Sequence, residues 1–129
     1  MATGLLVADT DLLVDFLRRK DPGRSRVREW LTSDRLRVGA VTAFELRLGA
    51  DFLSRRTGIE AMLRRRTLPL DLEAALIAGQ VFVDLERQGR GVGLRDSLLA
   101  GICLRFGLPL ATRNTRHFER VEGLRLAGL

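Results

Sequence analysis

Gly4-Leu5-Leu6-Val7-Ala8-Asp9-Thr10-Asp11 reads as an apolar run about as long as one buried strand, and it stops abruptly in two carboxylates flanking a hydroxyl. Placed centrally in a parallel sheet, such a strand delivers Asp9 to its carboxyl edge, where open α/β sheets receive their ligands. Asp9 is therefore a candidate metal ligand, toward which the other site residues should converge.

Outward from this strand, strands and helices alternate. Thr10 to Arg19 carries Leu12, Leu13, Phe16 and Leu17 at the spacing of an amphipathic helix, and Asp21-Pro22-Gly23 ends it. A second helix from about Ser25 turns Val27, Trp30 and Leu31 to one face, with Trp30 as a core or interface anchor. Leu36 to Val41 predicts a second strand and Thr42 to about Arg55 a third helix, which Gly58 separates from an arginine-rich helix over Ile59 to Arg66. Thr67 to Leu70 is a minimal third strand, after which Asp71 caps a longer helix that Gly89 ends. Gly89-Arg90-Gly91-Val92-Gly93 has neither the lysine of a phosphate-binding loop nor a preceding strand, so it reads as a flexible turn. Asp96-Ser97 opens the next helix, Gly107 closes it, and Leu108 to Thr112 forms a fourth strand. A polar turn over Arg113 to Phe118 and a short edge strand over Gly123 to Ala127 complete the chain. This order predicts a single α/β domain over residues 1–129, a three-layer α/β/α sandwich with a central parallel sheet wound by right-handed crossovers.

Composition narrows the chemistry. The longest apolar run, Leu98 to Leu104, meets Arg105 well short of the roughly 20 residues of a membrane span. With no charged segment ahead of the first apolar run, a secretory leader is not expected either, and the expectation is a cytoplasmic protein without membrane contact. The lone Cys103 excludes an intramolecular disulfide, and its apolar neighbours make it a small core thiol. A lone His117 excludes a multi-histidine metal site and most nucleophile–histidine triads, which leaves carboxylates as the main chemical resource. The net charge of +6 comes almost wholly from arginine. It suits a polyanionic partner, and it is equally explained by a coding bias toward arginine over lysine.

The winding places the acids. Glu45 lies one turn into the helix after the second strand, and the helix opened by Asp96 must finish at the amino edge to feed the fourth strand. Asp9, Glu45 and Asp96 therefore share the carboxyl edge, where the turn carrying Thr112 and Asn114 also arrives. Hard divalent ions such as Mg2+ and Mn2+ take oxygen ligands, so these three acids suit such an ion. Each also has a purely structural reading: Asp9 and Asp96 as helix N-caps, and Thr42 with Glu45 as a capping box. Asp11 fits a supporting role at the helix start. The hydroxyls of Thr10 and Thr112 can position an acid, a water or a phosphate, and Arg95, Arg113 and Arg116 are candidates for substrate phosphates.

These residues resemble a PIN domain, and more narrowly a VapC-type toxin. The resemblance rests on Asp9-Thr10-Asp11 after its strand, Val41-Thr42-Ala43-Phe44-Glu45-Leu46, Leu94-Arg95-Asp96-Ser97-Leu98-Leu99-Ala100, and Leu110-Ala111-Thr112-Arg113-Asn114 with Phe118 and Gly123-Leu124-Arg125-Leu126. It implies a ribonuclease that hydrolyses RNA phosphodiester bonds by metal-activated water, with Asp9, Glu45 and Asp96 as catalytic ligands for Mg2+ or Mn2+. It also implies a homodimer inhibited by a VapB-like antitoxin. PIN domains commonly carry a fourth acid where this chain has Asn114 or His117. Asn114 is expected to bond a metal-bound water or a neighbouring carboxylate, leaving one firm metal site and a second that fills only with substrate. The missing charge is also the best support for an alternative, a degenerate module that binds RNA or protein without cutting. The Asp-x-Asp strand end is similar to haloacid-dehalogenase phosphatases as well, but Leu13 stands where that family has Thr or Val, and its downstream lysine is absent.

Overall fold

Alternation within Leu6-Val7-Ala8 gives the sheet its two faces. In the computed structural model, which describes residues 4–129, Leu6 and Ala8 of β1 (Leu6–Ala8) join one core and Val7 the other. The remaining strands are β2 (Leu36–Gly39), β3 (Thr67–Leu68) and β4 (Leu110–Ala111). They pair in parallel in the order β3-β2-β1-β4, with Leu6 opposite Leu36, Val7 opposite Leu110 and Val38 opposite Thr67.

On the first face lie α1 (Thr10–Leu17), α2 (Gly23–Thr32) and α5 (Arg56–Arg66), which bury Leu12, Leu13, Val27, Trp30 and Ile59 with Leu36 and Val38. Trp30 is thus a core anchor. On the other face α7 (Gly93–Phe106) buries Leu99 and Cys103 against Val7, Leu110 and Phe118. Helix α6 (Leu72–Arg87) packs behind α7 so closely that a Cβ on Gly101 would lie 2.6 Å from both the Ala74 carbonyl oxygen and the Ala78 Cβ. Burial pushes the Cys103 thiol up to about 12, with the charge of Asp9 adding to the shift. The three-layer sandwich follows the order of elements as expected. No helix among the described residues is long and apolar enough to cross a membrane.

Several boundaries differ from the sequence reading. The second strand stops at Gly39, and α3 (Ala40–Leu48) starts two residues early, because Gly39 turns against α7, where a Cβ would meet Leu99 Cδ1 at 3.0 Å. The third helix does not reach Arg55. Gly49 leaves the helix in an extended conformation, a single turn α4 (Asp51–Ser54) follows, and α5 runs straight through Gly58 instead of starting after it. Helix α7 begins at Gly93 rather than at Asp96, and the expected edge strand is reduced to one parallel bridge between Leu110 and Leu126. The polar turn after β4 contains one helical turn, α8 (Thr115–Phe118). The caps at Asp71, whose carboxylate accepts from Ala74 N–H at 2.9 Å, and at Gly107, with φ +65°, stand as read.

Candidate active site

The carboxyl ends of β1 and β4 are tied together where Asp9 N–H donates to the Ala111 carbonyl at 2.9 Å. Asp9 follows β1 directly, and its Oδ1 accepts from Thr10 N–H at 2.7 Å, so it does act at the start of α1. That does not exhaust it, because Oδ2 accepts from the buried Thr112 hydroxyl at 2.9 Å and Oδ1 receives Arg95 Nη2 at 2.6 Å. Glu45 arrives from the second turn of α3 and Asp96 from the first turn of α7.

Two of the structural alternatives fall away. The N-cap of α7 is Val92, so Asp96 caps nothing. Thr42 is inside α3 and fully buried, 3.1 Å from the Thr10 hydroxyl, so Thr42 and Glu45 form no capping box. The Thr10 hydroxyl instead donates to Glu45 Oε1 at 2.5 Å while accepting from Arg95 Nη2 at 2.7 Å.

All three acids meet on one cation, the guanidinium of Arg95. Its Nη2 donates to Asp9 and to Glu45 Oε1 at 2.6 Å each, its Nη1 to Asp96 Oδ1 at 2.7 Å, and its Nε reaches both Glu45 oxygens at 3.0 Å. Burial disfavours both charges of the Glu45–Arg95 pair. Hydrogen bonds from Arg95 and Thr10 nevertheless hold the Glu45 carboxyl below its usual range, and Glu45 and Asp9 hold the Arg95 pKa above its own. The second oxygen of Asp96 lies 2.6 Å from His117 Nδ1.

The oxygen donors of Asp9, Glu45 and Asp96 suit a hard divalent ion, and here they already surround a positive charge. Among the described residues no three Asp, Glu, His or Cys side chains stand at metal-holding spacing. The guanidinium lies between the three acids, Nη2 shared by Asp9 and Glu45 and Nη1 on Asp96. The donor set is of the kind such an ion takes, and in this arrangement Arg95 occupies the space between the carboxylates.

The remaining expected residues are distributed unequally. Arg113 is half-exposed and committed to support: its N–H donates to Asp11 Oδ2 at 3.0 Å, and its guanidinium lies 3.6 Å from Asp11 and 3.5 Å from Asp15. Asp11 thus joins α1 to the turn after β4, and burial, reinforced by neighbouring Asp9, raises its pKa. Arg116 is exposed on α8, with no ion pair among the described residues. Asn114 reaches the site through its backbone, donating N–H to Thr112 Oγ1 at 3.1 Å, and its side-chain amide bonds no carboxylate among the described residues. Glu119, the acid just beyond α8, is exposed to solvent.

Beside Glu45 and Arg95 an apolar groove of about 530 Å³ opens between α3 and α7, lined by Val41, Phe44, Leu48, Leu70, Leu94 and Leu98. Phe44, Leu48 and Leu94 are at least 65% exposed, which is unusual for side chains of this size.

A family model described as PIN domain matches residues 6–124, spanning all of these elements. The chain belongs to the PIN domain family. Among curated relatives it is 38% identical to the tRNA(fMet)-specific endonuclease VapC of Shigella flexneri, over 91% of this chain and 92% of that one. It is 32% identical to the protein of the same name from Salmonella typhimurium, over 92% of each. Among solved structures, a chain of the DNA-bound VapBC complex from Salmonella typhimurium superposes with a TM-score of 0.80 at 28% identity, covering 95% of this chain and 96% of that chain.

Within this PIN domain three placements had no counterpart in the sequence reading. His117 bonds a candidate ligand, Arg95 sits among the acids rather than beside them, and Asp15 is buried with its Oδ2 unpartnered. For Asp15 a signal existed: a charged residue beside the apolar positions of an amphipathic helix.

Proposed function

We propose that this chain is a divalent-metal-dependent endoribonuclease, the toxin of a VapBC-type pair. The observation that carries the proposal is the meeting of Asp9, Glu45 and Asp96, drawn from three separate elements, on one cationic locus at the carboxyl edge of the sheet. The PIN relatives named as VapC endonucleases supply the reaction class.

Asp9, Glu45 and Asp96 would hold Mg2+ or Mn2+. When bound, such an ion polarises a phosphoryl oxygen and makes water a stronger acid. The chain supplies the rest. Asp9 is the most buried of the three acids, at 7% side-chain exposure, and the Thr112 hydroxyl fixes its orientation. Thr10 orients Glu45 and His117 orients Asp96. Glu45, 30% exposed, opens to solvent and takes the proton as water attacks phosphorus in line and the opposite P–O ester bond breaks. Arg116 is free to hold a flanking phosphate, and Arg113 orders the rim of the site.

The partner is a VapB-like antitoxin, and the apolar groove beside Glu45 is the face on which two copies of the chain pair. Such a toxin works in the cytoplasm. The presence of Arg95 among the acids favours one second reading, a module that holds RNA without cutting it.

Incubation with Mg2+ and a panel of structured RNAs, initiator tRNA included, separates the two. Cleavage by the wild type that disappears in Asp9→Asn and Asp96→Asn supports the nuclease. Intact RNA retained with a steep salt dependence would make the chain a binding module.

A further inference from the structure

We infer that Arg95 is a tethered cation competing with the divalent ion for the Asp9–Glu45–Asp96 locus, so that metal loads only as Arg95 swings out. The inference rests on the metal-site reading above and adds to it how the site is controlled. One guanidinium engages an oxygen of each acid and the Thr10 hydroxyl that orients Glu45. These are the same oxygens a hard ion would take, and two cations cannot share them at contact distance without strong mutual repulsion. Occupancy is therefore exclusive.

Two features make the competition reversible. Three carboxylates face one guanidinium, so the locus keeps an excess of acidic oxygens that attracts a dication while Arg95 is in place. Arg95 also sits in the first turn of α7, where the helix dipole disfavours positive charge, so its inward position rests on the three acids and the Thr10 hydroxyl. Its side chain is 32% exposed and its neighbour Leu94 70% exposed, which leaves an open path to solvent.

The apparent affinity of a site falls by the fraction of molecules in the competent state. With Arg95 inward in nine molecules of ten or more, Mn2+ binding is weakened about ten-fold or more. The test is Mn2+ binding to metal-stripped full-length protein at neutral pH, followed by loss of the free-ion paramagnetic resonance signal. Arg95→Gln should bind roughly ten-fold or more tightly than the wild type, with Arg95→Lys between them. In chelator, Arg95→Gln should melt below the wild type, and Mn2+ should raise its melting temperature by the larger increment. Equal or weaker Mn2+ binding by Arg95→Gln, with wild-type binding that Asp9→Asn abolishes, overturns the competition and leaves the metal site standing. Wild-type binding that Asp9→Asn leaves unchanged, or no binding by the wild type and Arg95→Gln alike, overturns the metal site and the competition with it. Should Arg95→Gln fail to fold, Arg95→Lys carries the same comparison, and binding no tighter than wild type overturns the inference.

Discussion

His117 Nδ1 stands 2.6 Å from Asp96 Oδ2 while Arg95 holds Oδ1 of the same carboxylate, so Asp96 is oriented from both sides. A partner that fixes a metal ligand commonly contributes 10–100-fold to affinity or activity, by order of magnitude. His117→Ala should therefore lower RNA cleavage by roughly 10–100-fold with little change in melting temperature. His117→Asn, whose amide can take the place of Nδ1, should recover part of it. Cleavage rates and calorimetric melts on the same preparations check both halves.

Thr112 is fully buried and donates to Asp9 Oδ2. The near-isosteric Thr112→Val removes that donor and leaves a buried carboxylate oxygen short of a partner, at about 1–3 kcal/mol. Urea denaturation should show a lower midpoint with an unchanged slope, and Thr112→Ser should restore most of the loss.

The pH dependence follows from Glu45, whose folded-state pKa lies below its ordinary value because Arg95 and Thr10 outweigh burial. A depressed carboxylate contributes stability that is complete above its unfolded value, about 4.3, and is lost as pH falls through the lower folded value. Wild-type stability should therefore decline across that acid range, and Glu45→Gln should show a shallower decline. Asp11, shifted upward by burial and by Asp9, works in the opposite direction. Since Asp11 is present in both proteins, the difference between their stability curves reads the loss of the Glu45 carboxylate together with its effect on the acids that share Arg95.

Gly101 lies where α7 crosses α6, and an added Cβ would meet backbone at 2.6 Å. Gly101→Ala should destabilise by about 1–3 kcal/mol through overpacking. Because α7 also carries Arg95 and Asp96, it should reduce cleavage further than the stability loss explains. Thermal melts paired with cleavage rates well below the melting temperature separate the two effects.

The groove on α3 and α7 predicts an interface. Phe44→Glu and Leu94→Glu should each convert a dimer into a monomer, read by light scattering on a sizing column. An unchanged mass for both variants would remove this face as the site of pairing.

How far the site could be read beforehand differs residue by residue, for physical reasons. Asp9, Glu45 and Asp96 were legible because strand–helix alternation in a parallel sheet dictates which element ends reach one edge, and that holds even when a boundary is misplaced by two or three residues. The start of α3 was misplaced because Val38 to Val41 is apolar throughout and a strand and a helix start look alike there. Asp96 lies in the first turn of α7 whether the helix opens at Gly93 or at Asp96 itself, so its placement survived the error. Arg95 was not legible, because a long flexible side chain goes where the surrounding charge draws it, and that charge comes from residues up to 86 positions away. Asn114 reaches the site by a backbone N–H on the Thr112 hydroxyl, a contact that side-chain chemistry and spacing do not encode.

The lone thiol of Cys103, sealed beneath β1 and pushed up to about 12, bears on how the molecule can be observed. It should stay inert to alkylating dyes at neutral pH while the fold is intact. A cysteine introduced on the surface, for example Glu119→Cys just after α8, would then be the single reactive handle. A fluorophore placed there would report the arrival of nucleic acid at the rim with no background from the native sulfur.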